Sequence, residues 1–410
     1  MTVGRRFARG AGMLLVGTMV LTACSGSPST ETGSGTGQGA AGKAARIYVI
    51  APQTGAEAAL GLGVRNSVQL AVDQAAARGD LPGWNLEVVA IDDTSDEAKA
   101  AEAAKKAAAD EKTVAVIGSI YSGLTKSIQP VLASHGILHV SPTATNPTLT
   151  KGDAFDRAPK RRYGSFFRMI APDDAHAPAV AKFLTEKGVQ RVSTVNDGGA
   201  YGVGFTAAFA KAFAAEKGKV VSGRKLDPEA PAVYPTLVKD LLGDKPQAVV
   251  FGGNDPQGGP LAGQLREAGM RGPMVGGDAL NTEQYVPKAG PIAAGDISTM
   301  AGKPLTDVEA GKRYLADYRA GGFAESATSY GPLAYDAANA VLASLKSALP
   351  DASDAASARK AAVAGMPSVT FDGTSGKVAF DQYGDITPRV VTVNVLGKGA
   401  WNPVKTYTFD

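Results

Sequence analysis

Two short stretches of small and hydroxylated residues, Ser119 to Gly123 and Pro142 to Asn146, are the part of this sequence best suited to holding a small polar molecule. Each follows a run of β-formers, Val114 to Gly118 and Ile137 to Ser141, and the segment between them, Ser122 to His135, has helical length. That spacing predicts a βαβ unit. In an open parallel sheet the two stretches would then lie side by side beyond the carboxyl ends of their strands, where ligands bind. Ser122 falls at a helix start, where unpaired N–H groups and the dipole favour an anion, and Thr143 to Thr145 add hydroxyls and exposed backbone groups. Such a rim suits a small zwitterion.

Other chemistries fail on the residues they need. Gly61 to Asn66 begins like a dinucleotide fingerprint but has Asn66 where a third glycine is required, and Gly118 to Gly123 has the glycine spacing of a phosphate loop with Leu124 in place of its lysine. His135, His139 and His176 are the only histidines, and none has a spacing that supports a metal site or a Ser-His nucleophile. Asp92 and Asp93 are adjacent in a strand and point to opposite faces, so they read as a strand end and not as an acid/base pair. We expect no catalytic residue, no metal and no cofactor.

The elements that must position the rim alternate from Arg46 onward. Strands are predicted at Arg46–Ala51, Leu86–Ile91, Val114–Gly118, Ile137–Ser141 and Phe166–Ile170. A second series follows at Arg191–Asn196, Val220–Leu226, Ala248–Gly253 and Met274–Gly276, with amphipathic helices between. Thr94 to Glu97 has the form of a capping box opening an alanine-rich helix. Two such series in 410 residues, 44% of them hydrophobic, imply an α/β protein of two doubly wound parallel-sheet lobes with a cleft between. Past Ile297 come long helical segments at Thr306–Ala320 and Ser326–Leu349 and strand-like Arg389–Leu396 and Lys405–Phe409, which complete the lobes. The formal charge of +3 comes from Arg5, Arg6 and Arg9; the rest of the chain is balanced at 39 basic and 39 acidic residues. A neutral chain with 7% aromatic residues has no footprint for nucleic acid.

The first 23 residues read as a signal peptide: three arginines, then an apolar run from Ala11 to Leu21 about half the ~20 residues of a membrane span. Leu21-Thr22-Ala23-Cys24 resembles a bacterial lipobox, which implies acylation of Cys24, the one cysteine, and a place on the extracytoplasmic face of the cell membrane. Residues 24–45, rich in Ser, Gly and Thr, read as a flexible tether.

Over Arg46 to Asp410 the sequence resembles the solute-binding proteins of type I periplasmic fold, in particular the leucine/isoleucine/valine-binding branch that serves ABC importers. The resemblance is carried by Thr54-Gly55 with Leu60-Gly61, Ile91-Asp92-Asp93, Val116-Ile117-Gly118 with Ser122, Ser141 to Pro147, Asp197 with Tyr201-Gly202, Phe251-Gly252-Gly253 and Gly277-Asp278. It implies a lobe of residues 46–169 and 300–385 and another of 170–299 and 386–410, joined by a three-stranded hinge near 169–171, 299–301 and 386–389. It further implies that Ser122 and Thr145, with the backbone of Thr143 and Ala144, hold the α-carboxylate and α-ammonium of an amino acid. Asp278 would hold the ammonium from the other lobe, Tyr201 would close over the ligand, and Leu60 and Asn254 would lie near its side chain. Asp278 is one methylene shorter than the glutamate familiar in the branch, and Asn254 replaces an aromatic residue often found there. On the residues alone, Ser122 also fits a helix cap, Tyr201 a packing residue and Asn254 a turn. The expected function is capture of a small amino acid, branched-chain first, by a monomer that delivers it to an ABC permease and its ATPase subunits. A ligand sensor, or a carrier of another small amide or amine, is the alternative.

Overall fold

The computed structural model describes residues 43–227 and 231–409. The signal peptide, Cys24 and most of the expected tether lie outside the described residues. Lys43 to Ala45, read above as tether, instead begin strand β1 (Lys43–Ala51). Along β1 the side chains alternate: Ile47 and Val49 enter one buried cluster, Tyr48 and Ile50 another. A strand covered on both faces requires this pattern. With β2 (Trp84–Asp92), β3 (Thr113–Gly118), β4 (Leu138–Ser141) and β5 (Phe166–Arg168) it forms a parallel sheet of order β2-β1-β3-β4-β5. Parallel neighbours need crossovers, here α1 (Ala58–Ala77), α2 (Glu97–Ala109) and α3 (Ser122–Ser134); α4 (Thr148–Lys151) is a single turn. Val64 and Val68 of α1 join the Ile47 cluster, while Ala104 of α2 and Ile128 and Leu132 of α3 join that of Tyr48.

The second lobe repeats the scheme with α5 (Asp173–Glu186), β6 (Arg191–Asn196), α6 (Ala200–Ala215), β7 (Lys219–Lys225), α7 (Pro235–Gly243), β8 (Ala248–Gly252), α8 (Asp255–Glu267), β9 (Met274–Gly276), α9 (Tyr285–Ala289) and β10 (Ile297–Ala301). Here β8 alternates: Ala248 and Val250 pack with Phe205, Phe209 and Phe213 of α6, and Val249 and Phe251 with Leu261 and Leu265 of α8. The chain then supplies α10 (Glu309–Ala320), α11 (Gly331–Ala348) and α12 (Ala355–Gly365). Ala334, Val341 and Ala358 of the last two complete the Ile47 cluster of the first lobe. Neither α12 nor the hairpin of β11 (Phe371–Gly373) and β12 (Gly376–Val378) was expected from the sequence.

Two further departures have local causes. The second sheet, of order β14-β13-β10-β9-β8-β6-β7, is not wholly parallel: β13 (Arg389–Gly397) runs antiparallel to β10, and β14 (Ala400–Phe409) antiparallel to β13. Lys398 and Gly399 join these last two with φ of 54° and 76°, and a two-residue turn of that hand can only return the strand antiparallel. Thr94 does not cap α2. The carboxylates of Asp92 and Asp93 accept the N–H groups of Thr94 and Ser95, winding both to positive φ. The cap is Asp96, which accepts the N–H of Lys99.

Helix α1 approaches the end of β1 closely enough that a Cβ on Gly61 would stand 1.6 Å from the carbonyl oxygen of Pro52. Gly61→Ala should therefore lower stability by about 1–3 kcal/mol, the usual cost of overpacking, seen as a reduced urea midpoint with unchanged slope.

Candidate functional site

The two hydroxyl-rich stretches meet as expected and are stitched together. The Ser141 hydroxyl donates to the carbonyl of Ser119 at 2.7 Å, the Thr143 hydroxyl to that of Ile120 at 2.8 Å, and the N–H of Asn146 donates to Ser122 Oγ at 3.2 Å. Ser122 is thus bonded across to the second stretch and does not cap α3; the cap position is Tyr121, whose side chain makes no capping bond.

A buried guanidinium holds the second stretch from beneath. Arg168, at the end of β5, donates from Nη1 to the carbonyls of Ala144 at 3.0 Å and Asn146 at 2.9 Å, from Nη2 to Thr150 Oγ1, and from Nε to Asp385 at 2.6 Å. Asp385 also faces Lys151 at 3.2 Å. Burial alone would raise the Asp385 carboxyl, but these two cations outweigh it and hold the group below the usual carboxylate range.

Beside this frame lies a narrow cleft, closed down in this structure to about 10 Å³, lined by Ile120, Tyr121, Ser122, Thr143, Thr145, Tyr201, Asn254, Asp278, Ala279 and Tyr330. Six residues singled out from the sequence, Ser122, Thr143, Thr145, Tyr201, Asn254 and Asp278, are brought together here. Leu60 and Ala144 are not part of the lining. Leu60 is buried in the first-lobe core with Val64 and Tyr330. Ala144 has its N–H on Ser141 Oγ and its carbonyl on Arg168, with its side chain against Leu149 and Phe166. Sequence spacing places a residue near a rim but does not say which way the backbone groups are already committed.

Asp278 enters from the second lobe, just past β9. Its Oδ2 accepts the Tyr330 hydroxyl at 3.1 Å, and Tyr330 belongs to the core of the first lobe. Its Oδ1 is buried without a partner, and burial pushes the carboxyl up to about 7. Asp173, the first residue of α5, is fully buried and donates its N–H to the carbonyl of Thr145. The Thr145 hydroxyl is the one donor beside its carboxylate, which has no strong hydrogen bond. Burial, and next the charge of Asp278, raise the Asp173 carboxyl well above its ordinary value. Neither carboxylate is ion-paired among the described residues. Asp173 was missed in the sequence because an acid in the first turn of a helix is locally favourable on dipole grounds alone. Tyr121 and Tyr330 were missed too.

Of the remaining polar atoms on the wall, Asn254 Oδ1 is buried without a partner, while Thr145 faces Asp173, the Tyr121 hydroxyl faces Glu57 and the Tyr201 hydroxyl faces the backbone of Ala279. The Tyr201 ring lies flat enough on the second lobe that a Cβ at Gly277 would stand 2.3 Å from its hydroxyl. Asn146 Nδ2 reaches the carbonyl of Ala200 at 2.7 Å, a further bond between the lobes. The arrangement offers hydroxyls and helix N–H groups on one side and two unneutralised carboxylates on the other. His139 and His176 are buried and bonded to the carbonyl of Gly118 and the hydroxyl of Thr299, and neither lines the cleft.

Comparison with known proteins agrees with this geometry. The family model described as periplasmic binding protein matches residues 45–394. The chain is 31% identical to the Leu/Ile/Val-binding protein BraC3 of Rhizobium johnstonii over 346 residues, covering 84% of this chain and 89% of that protein. It is 26% identical to the leucine-, isoleucine-, valine-, threonine-, and alanine-binding protein of Pseudomonas aeruginosa, over 87% of this chain and 90% of that one. Among solved structures, the branched-chain amino acid transporter substrate binding protein LivJ of Streptococcus pneumoniae in complex with isoleucine superposes with a TM-score of 0.76 at 24% identity, covering 90% of this chain and 99% of that one. A solute binding protein of an ABC transporter from R. palustris in complex with 4-hydroxybenzoate superposes at 0.77 and 19% identity, over 89% and 97%. These relatives are binding proteins, not enzymes. With a family model spanning most of its length and a Leu/Ile/Val-binding relative matched across most of both chains, this chain belongs to the periplasmic binding protein family.

Proposed function

We propose that the protein captures a small α-amino acid in this cavity by closure of its two lobes and, as a monomer held to the outer face of the cell membrane by a lipid on Cys24, delivers it to an ABC permease. One observation carries the reading: Asp278 is buried with one carboxylate oxygen spare and, among the described residues, no ion-pair partner, beside Asp173, which has none either. A ligand ammonium is the missing counter-charge. Its carboxylate would meet the first-turn N–H groups of α3, Ser122 and Thr145, an anion site of the usual helix-terminus kind. The names of the relatives, which include amino-acid binders, support the same class. An aromatic acid such as the one bound by the structural neighbour lacks an ammonium and would leave Asp278 without a counter-charge.

Closure follows from where the parts sit. Ser122, Thr143 and Thr145 are on the first lobe and Tyr201, Asn254 and Asp278 on the second, so a ligand touching both binds the closed state better than the open one. We assign the lobes as residues 46–169 with 300–385 and 170–299 with 386–410, pivoting at the three crossings.

Asp278→Asn keeps the shape and deletes the charge. Losing one partner of a desolvated pair costs on the order of 3–5 kcal/mol, so calorimetry should find amino-acid affinity reduced roughly a hundredfold or more. The thermal stability of the ligand-free protein at pH 8 should hold or rise, since a buried unpaired charge is gone.

The pH dependence has a definite sign. The Asp278 carboxyl stands at about 7 in the ligand-free protein, against ~3.9 in an unfolded chain. The folded state therefore holds the proton to higher pH, and ionising Asp278 costs stability as pH rises from about 4 through about 7, opposite to a salt-bridged aspartate. Ammonium binding needs the ionised form. Affinity should fall about tenfold per unit below pH 7, with proton release at pH 6 visible as a dependence of binding heat on buffer ionisation; a constant affinity from pH 5 to 8 would contradict it.

Anchorage is tested separately. Cys24→Ala should move the protein from the membrane to the soluble fraction, and a mature N-terminus other than an acylated Cys24 would rule the anchor out.

A further inference from the structure

Once the carboxylate and ammonium of such a ligand are placed, the remaining wall for its side chain is made by Ile120, Tyr121, Asn254 and Ala279. Tyr121 and Asn254 come from opposite lobes and each occupies the cap position of a long helix, α3 and α8, without making a capping bond. An asparagine at that position ordinarily spends its side chain on the helix N–H groups; here Asn254 Oδ1 is buried without a partner, while the Tyr121 hydroxyl faces the Glu57 carboxyl. Leu60, the aliphatic residue expected at this end, is turned into the first-lobe core.

We infer that the side chain of the bound amino acid ends in a neutral hydrogen-bonding group, a hydroxyl or an amide, and is not a branched aliphatic chain. The inference rests on the amino-acid reading above and specifies it. A valine or leucine side chain would cover Asn254 Oδ1 without bonding it, and a buried polar group left unbonded is costly. Both residues can give or take a hydrogen bond, the hydroxyl by rotation and the amide through its two ends. They therefore match a hydroxyl or amide, which also does both. Neither supplies a charge to neutralise a cationic side chain. Glu57, whose charge Tyr121 feels, is held toward its neutral form by burial and by the Asp255 carboxylate of the second lobe.

Two near-isosteric pairs isolate the effect, because threonine and valine, and asparagine and leucine, differ chiefly in polar atoms. Calorimetry on the mature protein at pH 8 should find threonine above valine and asparagine above leucine by at least about tenfold, the direction expected of a site built to bond a polar group. Asn254→Leu should shrink both gaps, and Tyr121→Phe, a milder change, should shrink them without altering the need for an α-ammonium. Valine or leucine binding as tightly as its polar twin, or lysine binding above all four, would overturn the inference. If aliphatic ligands led and Asp278→Asn still abolished their binding, the capture of an amino acid would stand and only the side-chain class would fall; if no α-amino acid bound, both would fall.

Discussion

Burying a carboxylate without a cation is expensive, and this molecule does it twice at one place. Asp173 and Asp278 are withdrawn from water, close enough for the charge of one to raise the carboxyl of the other, and among the described residues neither forms an ion pair. A third buried acid shows the alternative. Asp385 is equally removed from solvent but has Arg168 at 2.6 Å and Lys151 at 3.2 Å, and it stays ionised. The same desolvation acts on all three, so the difference lies in the partner. A site that lacks a partner within the fold is a site that can take one from outside.

The scaffold keeps that unmet charge stable enough to exist. Arg168 spends its donors on the carbonyls of Ala144 and Asn146 and on Thr150, fixing the turn that carries Thr143 and Thr145 while its charge is consumed by Asp385. Cations therefore support the rim from below without neutralising the cavity. Direct bonds between the lobes, Tyr330 to Asp278 and Asn146 to Ala200, are few-atom contacts that a ligand ammonium and carboxylate could supplement. In this account the ligand is a fastener whose differential affinity for the closed form does the work.

Much of this was legible in the sequence, for identifiable reasons. Alternation of apolar residues along strands such as Ala248 to Phe251, buried on both faces, is a local property, and so was the βαβ unit that set Ser122 beside Thr145. What escaped depends on contacts distant in sequence. Asp173 looks like any acid in a first helical turn, and only the fold brings it to Asp278. Leu60 lies at a helix start near the rim, yet its direction is set by packing with Val64 and Tyr330. The antiparallel edge of the second sheet hinged on two residues, Lys398 and Gly399, and α12 rests on an alanine-rich face whose burial against the first sheet no local periodicity makes plain.

The central claim, that a ligand completes a charge pair left open by the protein, is tested most directly by a carbon-13 NMR titration of the Asp278 carboxyl with and without a bound α-amino acid. The account predicts a midpoint near about 7 in the free protein and one displaced below about 4 when the ammonium is present. A free-state midpoint already at the ordinary value near 4, or one that a bound amino acid leaves unmoved, would contradict it.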